Sequence, residues 1–303
     1  MPEYEYKISK CCCHIKNHIV QLFNSISYCL ICSTFIIKNI SSFESLIKTI
    51  KPNNYEINTE NPSTLQWLKE EDIPNDFINK KEYKKFRTST VKNMKNICYY
   101  FSLSLKTYFL SISYLDKICS KISSFNNKIL EHISLLCIIL ATKFNENKQK
   151  ASEVQSILKE NISKNYKEDE IYVLKLLNYE LNIYTPYDIL MDILYFGFVF
   201  ENENFNLEKL YKLYSNIDRI LYMLSESNSY IDLSSKQIAL GIIGFTRELL
   251  NLNPFSENIQ NIFIFNNNKN MYTFGLNIIK KRIKIENENN YKKVRACKRS
   301  KTK

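Results

Sequence analysis

From position 63 onward, apolar residues recur three and four positions apart in blocks divided by short polar stretches, the spacing that lays one apolar stripe along a helix. The pattern predicts a short helix through Leu65, Trp67 and Leu68, then helices over 83–102, 106–121, 127–144, 151–159 and 167–181. The helix over 127–144 is apolar almost all round (Ile129, Leu130, Ile133, Leu135, Leu136, Ile138, Ile139, Leu140). A helix tolerates that only when neighbours wrap it, so this one is expected to be the hub of a bundle. Thr185-Pro186 interrupts the pattern. A second series follows over 187–200, 207–225, 234–252, 256–265 and 270–285, again with a strongly apolar third member around Ile238 to Phe245. Two five-helix units in tandem, a weak internal repeat at roughly one hundred residues, is the economical reading.

The preceding residues behave differently. Positions 18–37 carry no Asp, Glu, Lys or Arg and are about the length of a membrane span, but Gln21, Asn24 and several Ser and Thr interrupt them. Three readings stay open: a hydrophobic helix docked on the body, a membrane anchor helped by acylation at Cys11 to Cys13, or a disordered segment. Pro52 and the polar stretch to Ser63 then act as a linker.

Composition narrows the chemistry. A length of 303 residues exceeds what one core usually organises, and 45% hydrophobic with 24% charged residues excludes global disorder. There are only four glycines, and neither Gly nor Pro occurs between Pro74 and Pro186. A phosphate-cradling loop of the GxxxxGK or GxGxxG type cannot be assembled from these, which excludes nucleotide enzymes of those kinds. The expected fold is all-α.

The net charge of +11 is concentrated at one end: 280–303 holds eleven Lys/Arg against Glu286 and Glu288, leaving 31 basic and 29 acidic residues elsewhere. The body is therefore near neutral, with no basic stripe of the kind that binds nucleic acid. The terminal cluster, from Lys292 to Lys303, fits either a nuclear-import signal or a solvated tail. Nine cysteines, an odd number with several in apolar runs, read as reduced thiols of an intracellular protein. Cys29 and Cys32 form a single CxxC without a partner pair, so no metal or other cofactor is expected. His132, among Leu and Ile, reads as a core histidine rather than a catalyst.

Two stretches carry a family resemblance. Phe86 to Ile118 resembles the opening of a cyclin box, and Leu135 to Glu146 followed by Glu168 to Leu190 resembles its continuation; the second series is similar to the degenerate second cyclin fold. Cyclin boxes characteristically carry an Arg, an Asp, an Ala, a Lys and a Glu, and those positions are filled in order by Arg87, Asp116, Ala141, Lys143 and Glu170. The resemblance implies that Arg87 and Asp116 meet as an internal ion pair and that Ala141 permits close helix packing. It implies that Lys143 and Glu170, joined by Glu146, bind main-chain groups of a protein kinase around its mobile αC helix. In kinases that helix must swing in before its Glu can pair with the ATP-orienting Lys, so a rigid partner preferring the swung-in state activates by population shift. The chain would then be a non-catalytic cyclin, the partner of a cyclin-dependent kinase in a heterodimer controlling the cell cycle, in nucleus and cytoplasm.

Read against the residues alone, Lys143 and Glu170 could instead complement helix dipoles, and Arg87 and Asp116 could be unrelated surface charges. The chain also departs from the family. Lys92 and Asn93 stand where many cell-cycle cyclins have an acid and a Trp, so docking of Arg-x-Leu substrates is not expected; Lys159-Glu160-Asn161 spells a degradation motif that chance explains. Alternatives are a cyclin of a transcription-associated kinase, or a cyclin-fold general transcription factor, which would need a zinc ribbon and a basic body. The expected organisation is an N-terminal extension over 1–60, a first cyclin box over 61–184, a second cyclin-like fold over 185–285 and a basic tail over 286–303.

Overall fold

The computed structural model describes residues 19–23, 26–29, 35–37, 76–162, 165–196, 207–252 and most of 277–284. The expected short helix at Leu65 to Leu68, the helix over 256–265, the linker, Cys11 to Cys13 and the basic tail lie outside the described residues.

The body is all-α. Helix α1 (Lys80–Tyr100) starts at Asn79, whose side chain accepts from the Glu82 amide, and buries the stripe Tyr83, Arg87, Thr90, Val91, Met94 and Cys98. Helix α2 (Leu105–Ser120) is capped by Ser104 and α3 (Asn127–Asn145) by Asn126. In α3 every residue from Ile133 to Thr142 is buried, and α1, α2, α4 (Lys148–Leu158) and α5 (Tyr166–Leu176) all pack on it. This is the hub that the all-round apolar run anticipated.

After Pro186 come α6 (Pro186–Phe196), α7 (Leu207–Ser225) and α8 (Ser235–Leu249), the last opened by a capping box between Ser234 and Gln237. Helix α8 packs on α6 and α7, and α2 meets α6, so one apolar core runs from Phe77 to Ile279. The helical residues near 280 attach to α8 through Lys280 Nζ and Glu248 Oε1, 2.8 Å apart.

Two expectations are corrected. The segment 18–37, expected as a docked helix, a membrane anchor or disordered chain, contains three short antiparallel strands, β1 (Ile19–Phe23), β2 (Ile26–Cys29) and β3 (Phe35–Ile37), in the order β1-β2-β3. The N-terminal extension is thus not helical there. Ile, Val, Phe and Tyr dominate those pieces, side chains that fit a pleated surface better than a helix. Among the described residues no helix is long and apolar enough to cross a membrane. The helix expected over 167–181 stops at Leu176, because Asn178 and Tyr179 take left-handed backbone angles (φ 55° and 59°) that a helix cannot continue. Leu177 remains buried beyond that end, which keeps the apolar spacing going past the helix.

Candidate functional site

Arg87 and Asp116 are brought together in the interior. Arg87 Nε and Nη2 each donate at 2.8 Å to one carboxylate oxygen, a bidentate pair with side chains 0% and 5% exposed. The Tyr83 hydroxyl donates to Asp116 Oδ1 at 2.6 Å. Burial, then the Asp116 charge, push the Tyr83 phenol well up, so it stays a neutral donor. Burial alone would lower the Arg87 pKa, but the charge and hydrogen bonds of Asp116 outweigh it and the guanidinium is held charged.

The guanidinium does more than pair. Its Nη1 donates to the carbonyls of Ser225 (2.7 Å), the last residue of α7, and Ser227 (3.0 Å), which also accepts from the Tyr230 amide, and the Tyr230 ring lies 5.1 Å away. Around this bolt, Lys80 and Lys84 pair with Asp232, Lys95 pairs with Glu226, and Asn228 donates to the Lys84 carbonyl. Sequence reading missed the whole seam between α1 and the turn after α7. Backbone acceptors leave no sequence signal, although the acids Glu226 and Asp232 facing a lysine-rich helix could have hinted at it.

Lys143 and Glu170 also meet. Lys143 ends the hub helix α3, Glu170 lies in the second turn of α5, and Lys143 Nζ is 2.5 Å from Glu170 Oε1, with side chains 34% and 16% exposed. Each precedes an exposed apolar residue, Phe144 after Lys143 and Ile171 after Glu170, with Tyr172 exposed beyond. Lys143 reaches across to α5, so the pair joins two helices at the surface as well as sitting near their charged ends. Tyr166, which sequence reading did not single out, stands beside it: its hydroxyl accepts from Lys143 Nζ at 3.3 Å and its ring centroid is 5.7 Å from that nitrogen.

Glu146 faces elsewhere. Its Oε1 accepts from the Ser104 amide (2.8 Å) and the Thr107 hydroxyl (2.6 Å), neutralising the open N-terminus of α2. The expectation that Glu146 contacts a kinase did not anticipate this internal engagement of Oε1. His132 is corrected too: it is part-exposed, Nε2 3.2 Å from Asp169 Oδ2, and lines an open groove between α3 and α5 with Ile129, Leu136 and Tyr172.

A family model for the cyclin N-terminal domain matches residues 61–182. Residues 61–182 are a cyclin box. A solved structure with a similar fold is the X-ray structure of a viral cyclin from herpesvirus saimiri, 19% identical, covering 66% of this chain and 85% of that one, with a TM-score of 0.50. No curated protein matches the chain in sequence. Within this cyclin-box protein, Ala141 is wholly buried one turn before the end of the hub helix, so a larger side chain there would press into the packed helices around α3.

Proposed function

We propose that this cyclin-box protein is a non-catalytic subunit that binds and activates a cyclin-dependent Ser/Thr protein kinase, acting in the cell cycle from the nucleus and cytoplasm. The observation that carries the reading is the contact of Lys143 with Glu170 at the surface, beside exposed Phe144 and Ile171, on a rigid hub. Each side chain keeps hydrogen-bonding capacity beyond its partner: an ammonium has three donors and a carboxylate two oxygens. A kinase carbonyl and a kinase amide at the start or end of the αC helix fit that remaining capacity, while the apolar neighbours supply burial. A rigid subunit that favours the swung-in αC helix then raises the active fraction by its affinity difference between the two states. The segment 185–285, whose described buried residues share one core with the box, is the second cyclin fold on this reading; the viral cyclin's likeness covers more of the chain than the box alone.

The test is titration of a purified monomeric cyclin-dependent kinase with the wild-type chain, reading phosphorylation of a peptide substrate. Lys143→Glu and Glu170→Lys should each abolish activation with unchanged helical content. The double swap should restore the ion pair without restoring activation, since donor and acceptor then face the wrong kinase groups. Normal activation by both single variants would refute the assignment.

A further inference from the structure

Lys143 is a long side chain at a helix end, and holding it ready for a partner requires something besides Glu170. Tyr166 supplies it. It is the first residue of α5, one turn before Glu170, so the two side chains rise from the same helix face. Its ring packs partly into the core, which fixes where the hydroxyl can be. That hydroxyl accepts from Lys143 Nζ at 3.3 Å and lies in hydrogen-bonding relation to both Glu170 and Gln155, the latter on α4. The hub helix α3 and two helices packed on it, α4 and α5, therefore converge on one phenol. Burial first, and then the negative charge of Glu170, push the Tyr166 phenol up, so it remains protonated and can donate to the carboxylate while it accepts from the ammonium.

We infer that Tyr166 is a positioning residue for the Lys143–Glu170 pair, bridging ammonium and carboxylate so that both are already oriented when a kinase backbone arrives. The inference rests on the kinase-binding reading for its purpose, but the orienting of Lys143 exists in the free chain and is measurable there. Immobilising a rotamer-rich side chain on binding weakens affinity by about three- to tenfold when it is not already ordered. Tyr166→Phe keeps the ring, its packing and its face toward Lys143, and removes only the hydroxyl.

The experiment has two arms on the full chain. In the first, the free protein is treated with an acetylating reagent and Lys143 modification is followed by mass spectrometry, with Lys92, exposed on α1, as internal reference. Tyr166→Phe should raise the Lys143 rate severalfold and leave Lys92 unchanged, at an unaltered melting temperature. In the second, affinity for a purified cyclin-dependent kinase is measured for wild type, Tyr166→Phe, Lys143→Met and the double variant. Tyr166→Phe should weaken binding about three- to tenfold in the wild-type background and have no further effect once Lys143 is Met. Unchanged Lys143 reactivity, or an equal loss from Tyr166→Phe in both backgrounds, overturns the positioning role. Gln155→Ala gives a second variant: it should raise Lys143 reactivity less than Tyr166→Phe does, and a larger rise would move the role from the phenol to the amide. A wild-type chain that binds no kinase overturns the functional reading, and with it the purpose assigned to Tyr166, even if the reactivity arm succeeds.

Discussion

Replacing Arg87 with Met should cost about 5 kcal/mol, and the structure shows where that comes from. The side chain is fully buried and its removal leaves Asp116 with the Tyr83 hydroxyl as its remaining described hydrogen bond. A buried ion pair broken on one side costs about 3–5 kcal/mol, because an uncompensated charge stays behind. The Ser225 carbonyl loses its donor as well, at about 1 kcal/mol or more, while the Ser227 carbonyl keeps the Tyr230 amide. Against a typical total of about 5–15 kcal/mol, the variant approaches the unfolding threshold. Urea denaturation followed by circular dichroism measures the loss. The double variant Arg87→Met, Asp116→Leu should recover part of it, since no charge is stranded, yet not all, since the Ser225 carbonyl stays without the guanidinium donor. Hydrogen exchange gives the spatial signature: protection should fall over 225–233 as well as in α1 and α2. A cost under about 1 kcal/mol, or exchange confined to α1 and α2, would refute the bolt reasoning.

Two further outcomes follow from other groups. Cys98 is buried and its thiol is pushed up to about 12 by that burial, so iodoacetamide at pH 8 should leave it unmodified in the native chain and label it in urea, as peptide mapping would read. Burial alone would raise the pKa of the Asp232 carboxyl, but hydrogen bonds and charges from Lys80 and Lys84 outweigh it and hold it below the ordinary value. Its contribution is therefore present above the unfolded value of about 4 and lost as pH falls through the lower folded value, so the stability gap between wild type and Asp232→Asn should shrink from pH 5 toward pH 2. A gap that widened on acidification would reverse the sign.

The parts legible in the sequence were those with a periodic or side-chain signal. The unbroken apolar run in α3 needed neighbours on all sides, and α7 begins and ends where its spacing does. Arg87 with Asp116 and Lys143 with Glu170 were recognisable from the resemblance, because opposite charges at fixed separations leave a mark. The strands at 19–37 were not legible, since short apolar runs fit either helix or strand and no caps bounded them. The end of α5 hid behind apolar residues that keep helical spacing after Asn178 and Tyr179 have turned the backbone away. The internal partners of Glu146 were not legible, because which way a carboxylate turns at a helix corner depends on donors far back in the chain, Ser104 and Thr107. The Arg87 contacts to Ser225 and Ser227 used main-chain oxygens, which every residue possesses.

The mutual neutralisation of Lys143 and Glu170 has a kinetic consequence. A dipole of opposite unit charges a bond length apart projects little field beyond a Debye length, so it cannot draw a distant enzyme inward. Its influence begins at touching range, where it selects one orientation among many and slows departure. In the complex proposed above, changes to this duo should therefore leave encounter speed and its salt dependence nearly unaltered and should register in residence time.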